Sequence, residues 1–307
     1  MNPKSRHVAV HCQMIQAGEI QAIVGDAARN GVGGRQYAGL WSLTSVHRQF
    51  NAFGNSYAGL LPGEVRGKSP RLELINPTTC ALVKPATKAD PTDVRATYQI
   101  NAPYYIDHTL RFTDHQSRLR DPHYHRANFR EVSWCCYMNC PEDSRIHFRS
   151  GGRWCRYISP AHGVGSNIAP AYVADEELEV FPVVNERRPF HWDRIRRRFD
   201  APFYYGRIGP MVLILIFDTP RWLRFFCSPT GGAPSLVAGQ HCPAWDFEWI
   251  IPAAAYRVGR PYQFRVRLVY KRYVSDADVL HEYRRAIRAL SAFRTTTRSL
   301  TRTTLVG

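Results

Sequence analysis

The chain has 307 residues, 44% of them hydrophobic, with a formal net charge of +16. That is enough apolar material for one large core or two modest ones. The opening MNPKSRHVAVHCQ lacks the apolar segment of a secretory signal, and no apolar run approaches the roughly 18 residues that span a bilayer, so a cytoplasmic protein without membrane association is expected.

Eight cysteines in a chain this long do not make a disulfide scaffold. Cys135, Cys136, Cys140 and Cys155 lack the paired C-x-x-C spacing of a zinc site, so they read as buried free thiols, and no cofactor motif is present. Lysine occurs only at Lys4, Lys68, Lys84, Lys88 and Lys271, so the positive charge is almost all arginine, spread along the chain. Only Arg194 to Arg198 and the tail from Arg284 form basic clusters. Neither sits in a nucleic-acid motif, and nucleic acid is not the expected partner.

In chain order, His7 to Cys12 and Glu19 to Val24 flank Gln16-Ala17-Gly18 as an opening hairpin would. Gly25 to Gly34 is a glycine-rich turn with no Walker lysine and no helix start, hence a loop rather than a phosphate cradle. Arg35 to Lys68 is dense in Gly, Asn, Ser and aromatics and lacks periodicity, which predicts an ordered loop over a sheet. From it His47, Arg48 and Asn55 either reach a ligand or satisfy the loop's own backbone groups.

From Arg71 the pattern is steadily β through RLELI, TCALV, VRATYQI and YYIDHTLRFTD. In the last, Ile106, His108, Leu110 and Phe112 form an apolar face, which makes His108 a packed core histidine. His123 and His125 share a polar loop with no third metal ligand in evidence. Glu131 to Asn139 is a strand with Trp134, Cys136 and Met138 on one face and Ser133, Cys135, Tyr137 and Asn139 on the other, a candidate ligand floor. His162 lies beside Gly163 and Gly165, where it is either a general acid or base or a turn histidine without a role.

Met211 to Phe217 is an unbroken apolar run closed by Asp218-Thr219-Pro220, which suits a strand covered on both faces near the middle of a sheet. Trp222 to Cys227 is a second strand. Trp245 to Ile251 is a third, placing Asp246 and Glu248 on one face and Trp245, Phe247 and Trp249 on the other. Two acids among large aromatics, beside a buried strand, form the leading candidate site. Tyr262 to Lys271 alternates with period two, and Ser275 with Asp278 caps the one convincing helix, whose Val279, Leu280, Tyr283, Ile287 and Leu290 recur at helical spacing. The expected organisation is a single β-sandwich domain over residues 1–294 ending in that helix, followed by a flexible basic tail over 295–307.

Many strands, one late helix and no βαβ alternation predict a mainly β, antiparallel two-sheet architecture. The order of elements, with YYIDHTLRFTD, the tyrosine-rich FYYG strand and the acid-bearing PAWDFEW strand, resembles the galactose-mutarotase-like β-supersandwich over roughly Gly18 to Tyr273. The resemblance implies binding, epimerisation or cleavage of sugars on a concave sheet, with a histidine acid and a carboxylate base. The corresponding types here are His162 or His47 with Glu248 or Asp246. The expected ligand is a sugar or sugar acid held by Tyr137, Asn139, His47, Arg48, Asn55 and Tyr205, with general acid/base chemistry as the reaction if there is one. The alternative is a noncatalytic binding or interaction module of the same fold, its carboxylates paired with arginines. Nothing in the sequence sets an oligomeric state.

Overall fold

The computed structural model describes residues 11–27, 37–54, 59–119, 129–139, 141–161, 165–173, 197–230 and 242–303. The strands run β1 (Cys12–Ala17), β2 (Ile20–Gly25), β3 (Gly39–Ser45), β4 (Leu60–Pro62), β5 (Arg71–Asn76) and β6 (Thr79–Lys84). Next come β7 (Thr92–Asn101), β8 (Tyr105–Asp114), β9 (Phe129–Cys136), β10 (Ile146–Ser150), β11 (Arg153–Tyr157) and β12 (Asn167–Pro170). They end with β13 (Arg197–Phe199), β14 (Phe203–Ile208), β15 (Met211–Phe217), β16 (Leu223–Ser228), β17 (Ala244–Pro252) and β18 (Pro261–Arg272), before helix α1 (Asp276–Thr303).

Two nine-stranded sheets face each other, in the orders β1-β2-β3-β4-β9-β17-β16-β12-β13 and β11-β10-β14-β15-β18-β8-β7-β6-β5. The described pairings are antiparallel except for β12 with β13. Period-two alternation sends one face of each sheet into a shared core. Trp134 and Phe247, directly opposed on β9 and β17, stack there at 5.1 Å between ring centroids. Gly206 on β14 makes room for the Trp245 ring, since a Cβ there would lie 2.0 Å from it. His108 is the packed core histidine its strand predicts: Trp134 Nε1 donates to its Nε2 at 2.9 Å, and the opposite ring nitrogen donates to the Thr97 carbonyl at 3.1 Å. Burial lowers its pKa to about 3, so the ring is neutral.

The outer face of the second sheet is also apolar. Phe203, Tyr205, Val212, Ile214, Ile216 and Val269 pack against Val279 and Ala286 of α1. This second core explains why Met211 to Phe217 has no polar alternation: β15 lies fourth in its sheet, with the main core on one side and the helix on the other. Ser275 Oγ accepts the Asp278 amide at 3.2 Å, the cap expected for the helix start.

Three boundaries differ from the sequence reading. The first hairpin turns at Gly18-Glu19 rather than at Gln16-Ala17-Gly18, its described first strand running through Cys12–Ala17, while residues 7–10 lie outside the described residues. The segment expected as a loop over 35–68 contains β3 and β4, hidden by a bulge opposite Ile23 and Val24 and by the three-residue length of β4. The helix continues to Thr303, past the boundary expected at residue 294. No helix among the described residues is long and apolar enough to cross a membrane.

Candidate functional site

The outer face of the first sheet is polar where that of the second is apolar. Register and parity place Glu131, Ser133 and Cys135 of β9, Asp246 and Glu248 of β17 and Arg224 of β16 on it together. Tyr137 joins them through its bridge to Ala244. Glu248 sits between Arg224 on one neighbouring strand and Ser133 on the other. The turn after β4 brings in Arg66, whose Nη1 donates to Cys135 Sγ.

This face is not open to solvent over the acids: Asp246 is 5% and Glu248 1% exposed. The i, i+2 spacing sets their backbones about 6.6 Å apart. Asp246 Oδ1 accepts the Cys136 amide at 2.6 Å. Burial nevertheless lifts its pKa to about 7, against the opposing pull of that amide and of Arg66. Glu248 is pushed well above the ordinary carboxylate range by burial and then by Glu131, with Arg224 opposing. Burial draws Arg224 down to about 10, against the pull of Glu248 and Glu131. For Arg66, burial works against the charge, but Cys135, Tyr137, Tyr37 and Asp246 outweigh it and raise the pKa. Burial pushes the Cys135 thiol up to about 12 and raises the Tyr137 phenol, so both stay protonated at neutral pH. The cluster thus holds a carboxyl able to take or give a proton near pH 7 beside fixed cations and a phenol donor.

The structure brings together Asp246, Glu248 and Tyr137 among the residues singled out from sequence. Asn139, past the end of β9, donates its Nδ2 to the Asn51 carbonyl at 3.0 Å and ties down the chain after β3. His47 lies in the turn after β3, with Nε2 3.2 Å from Glu19 Oε2, and the Arg48 guanidinium sits 5.7 Å from the Phe50 ring centroid. Tyr205 is a correction: it is on the opposite sheet, beneath α1, with its hydroxyl donating to Asp276. His162, Asn55, His123, His125 and Cys140 lie outside the described residues. Among the described cysteines, Cys135, Cys136 and Cys227 are buried free thiols, Cys242 is buried, and Cys155 is half-buried. No group of metal-binding type occurs among the described residues.

The sequence reading missed Arg66, Arg224 and Glu131. Arg224 had a usable signal, since Leu223 and Phe225 face the core and Arg224 must face the other way. Arg66 had none, because its place follows from a pairing between strands far apart in sequence.

No protein-family profile and no curated protein matches the chain. Among solved structures, it is similar to a protein from Escherichia coli K12 described as an aldose 1-epimerase (10% identity, 85% of this chain and 99% of that one, TM-score 0.42). It is also similar to a GalM/aldose epimerase homologue from C. elegans (8% identity, 86% and 100%, TM-score 0.43). A mutant heparan sulfate lyase from Pedobacter heparinus matches over 83% of this chain and 34% of its own (8% identity, TM-score 0.45). At such scores these structures carry no activity or site residue to this chain, whose fold rests on its own strand order.

Proposed function

We propose that the outer face of the first sheet is the working site and that it binds a sugar or sugar acid, with Asp246 and Glu248 as the acid/base pair. The observation that supports this most is Asp246 itself: a buried carboxyl with a pKa lifted to about 7, placed beside Arg66 and Tyr137. Carboxyl, guanidinium, phenol and amide groups converging on one sheet face match the hydroxyls, and in a sugar acid the carboxylate, of such a ligand. Proton transfer at an anomeric or α-carbon needs a group that exchanges its proton near neutral pH, which Asp246 supplies.

The test is a thermal-shift screen against galactose, glucose, glucuronate and short oligosaccharides, followed by titration of Asp246→Asn. A ligand at 100 times its dissociation constant adds about 2.7 kcal/mol to the folded state. A shift in the wild type that disappears in the variant supports the reading; an undiminished shift in Asp246→Asn removes Asp246 from the site. The noncatalytic alternative draws on the arginines beside both acids. Ligand binding with no turnover and with equal affinity at pH 5 and pH 8 would favour it, because a titrating acid would then be idle.

A further inference from the structure

A groove of about 600 Å³ opens at the hairpin end of the first sheet, lined by Gln16, Glu19, Gln21, Thr44, Val46 and Gln49 among others. Gln16 pairs directly with Gln21 across β1 and β2, and Gln21 with Thr44 across β2 and β3. Gln21 Nε2 donates to Gln16 Oε1 at 3.2 Å. The bulge at β3 keeps Leu40 and Leu43 both in the core, which turns Thr44 and the two glutamines to the outer face. That is the face carrying Tyr137 and Asp246. Each amide offers both donors and an acceptor without a charge, the inventory that suits hydroxyl groups.

The groove and the acid cluster lie on the same face of the first sheet, with β4 and β9 between β3 and β17. Trp41, half-buried, lies over Gly25, where a Cβ would meet its ring at 2.0 Å. Its Nε1 donates to the Tyr37 carbonyl at 2.6 Å, and the Tyr37 ring lies 5.1 Å from the Arg66 guanidinium. Arg66 is the cation beside Cys135 and Asp246. Thr44 and Asp246 are separated by three strand spacings, about 14 Å across the sheet, in addition to their offset along it. One sugar ring does not cover that distance.

We propose that the Gln16–Gln21–Thr44 groove is a subsite for the distal, uncharged rings of an oligosaccharide whose reacting end lies at Asp246. The inference rests on the sugar-binding reading above and extends it from a monosaccharide to a chain ligand. Trp41 and Tyr37 form the aromatic floor between the two ends.

The test compares four probes by calorimetry: galactose, glucuronate, cellohexaose and mannohexaose. They are titrated into wild type, Gln16→Ala/Gln21→Ala/Gln49→Ala and Asp246→Asn. The expected result is that a hexasaccharide binds the wild type at least about tenfold tighter than either monosaccharide. The triple variant, changed only at groove side chains and checked by an unaltered melting temperature, loses that advantage and keeps monosaccharide affinity. Asp246→Asn weakens both classes. A triple variant with wild-type hexasaccharide affinity, alongside a weakened Asp246→Asn, overturns the subsite and leaves the sugar-site reading standing. Loss of hexasaccharide binding in the triple variant with no effect of Asp246→Asn overturns the site reading instead. Absence of binding of all four probes to the wild type overturns both.

Discussion

Glu282 on α1 and Asp246 on β17 are both buried carboxylates, 3% and 5% exposed, yet their proton affinities move in opposite directions. For Glu282, burial raises the pKa, but Tyr104 at 2.9 Å, Tyr105 at 3.0 Å and Lys271 at 3.2 Å outweigh it and hold the group below the ordinary range. For Asp246, burial wins over one backbone amide and Arg66, and the pKa climbs to about 7. The outer face of the second sheet is therefore closed by an apolar layer and a fully donated carboxylate, an arrangement that stabilises the fold. The outer face of the first sheet retains acids whose charge is undercompensated, which costs stability and supplies a proton-exchanging group.

Opening the stabilising face should produce the largest effect. Phe203 is fully buried and stacks on Tyr283 of α1 at 4.5 Å, so Phe203→Ala should cost about 3–5 kcal/mol in urea unfolding. A loss below about 1 kcal/mol would show that the helix does not seal that face. The next effect has the opposite sign. Because the folded state raises Asp246 from 3.8 to about 7, it binds a proton that the unfolded chain has released between those values, and stability falls as pH rises through that window. Asp246→Asn keeps an acceptor for the Cys136 amide and removes the charge. It should stabilise the protein at pH 8 by on the order of 2–4 kcal/mol and leave it unchanged at pH 4.

Glu282→Gln should do the reverse on a smaller scale. A depressed carboxylate stabilises above its unfolded pKa and loses that contribution as pH falls through its folded one. The variant should be less stable by about 1–3 kcal/mol at pH 7, with the difference closing under acid conditions. Smallest in energy is the thiol pattern. Cys135, buried and pushed up to about 12, should react with a thiol reagent no faster than the protein unfolds, while exposed Cys12 reacts at once.

The contrast between the faces was legible in the sequence to different depths. An unbroken MVLILIF run announced a strand apolar on both sides, and the caps and spacing of α1 supplied what covers it. Parity alone put Asp246, Glu248 and Tyr137 on one face, because a two-residue period leaves no choice once the strands are found. Tyr205 shows where parity stops: alternation says which neighbours share a face, and not which of two sheets the strand enters. The Arg66 contact comes from a strand pairing across a long separation, and the burial of the acids depends on what packs above the sheet. Neither is written in local sequence. The strands β3 and β4 escaped for a local reason, since a bulge breaks the alternation that would reveal the first and the second is too short to show any.

A carbon-detected carboxyl titration of uniformly labelled protein compares Asp246 and Glu282 in one sample, with Asp246→Asn and Glu282→Gln providing the assignments. The expected result is a midpoint near pH 7 for Asp246 and one below the ordinary glutamate range for Glu282. Two carboxylates titrating together in the ordinary range would contradict it, leaving the outer face of the first sheet without a group poised for proton exchange.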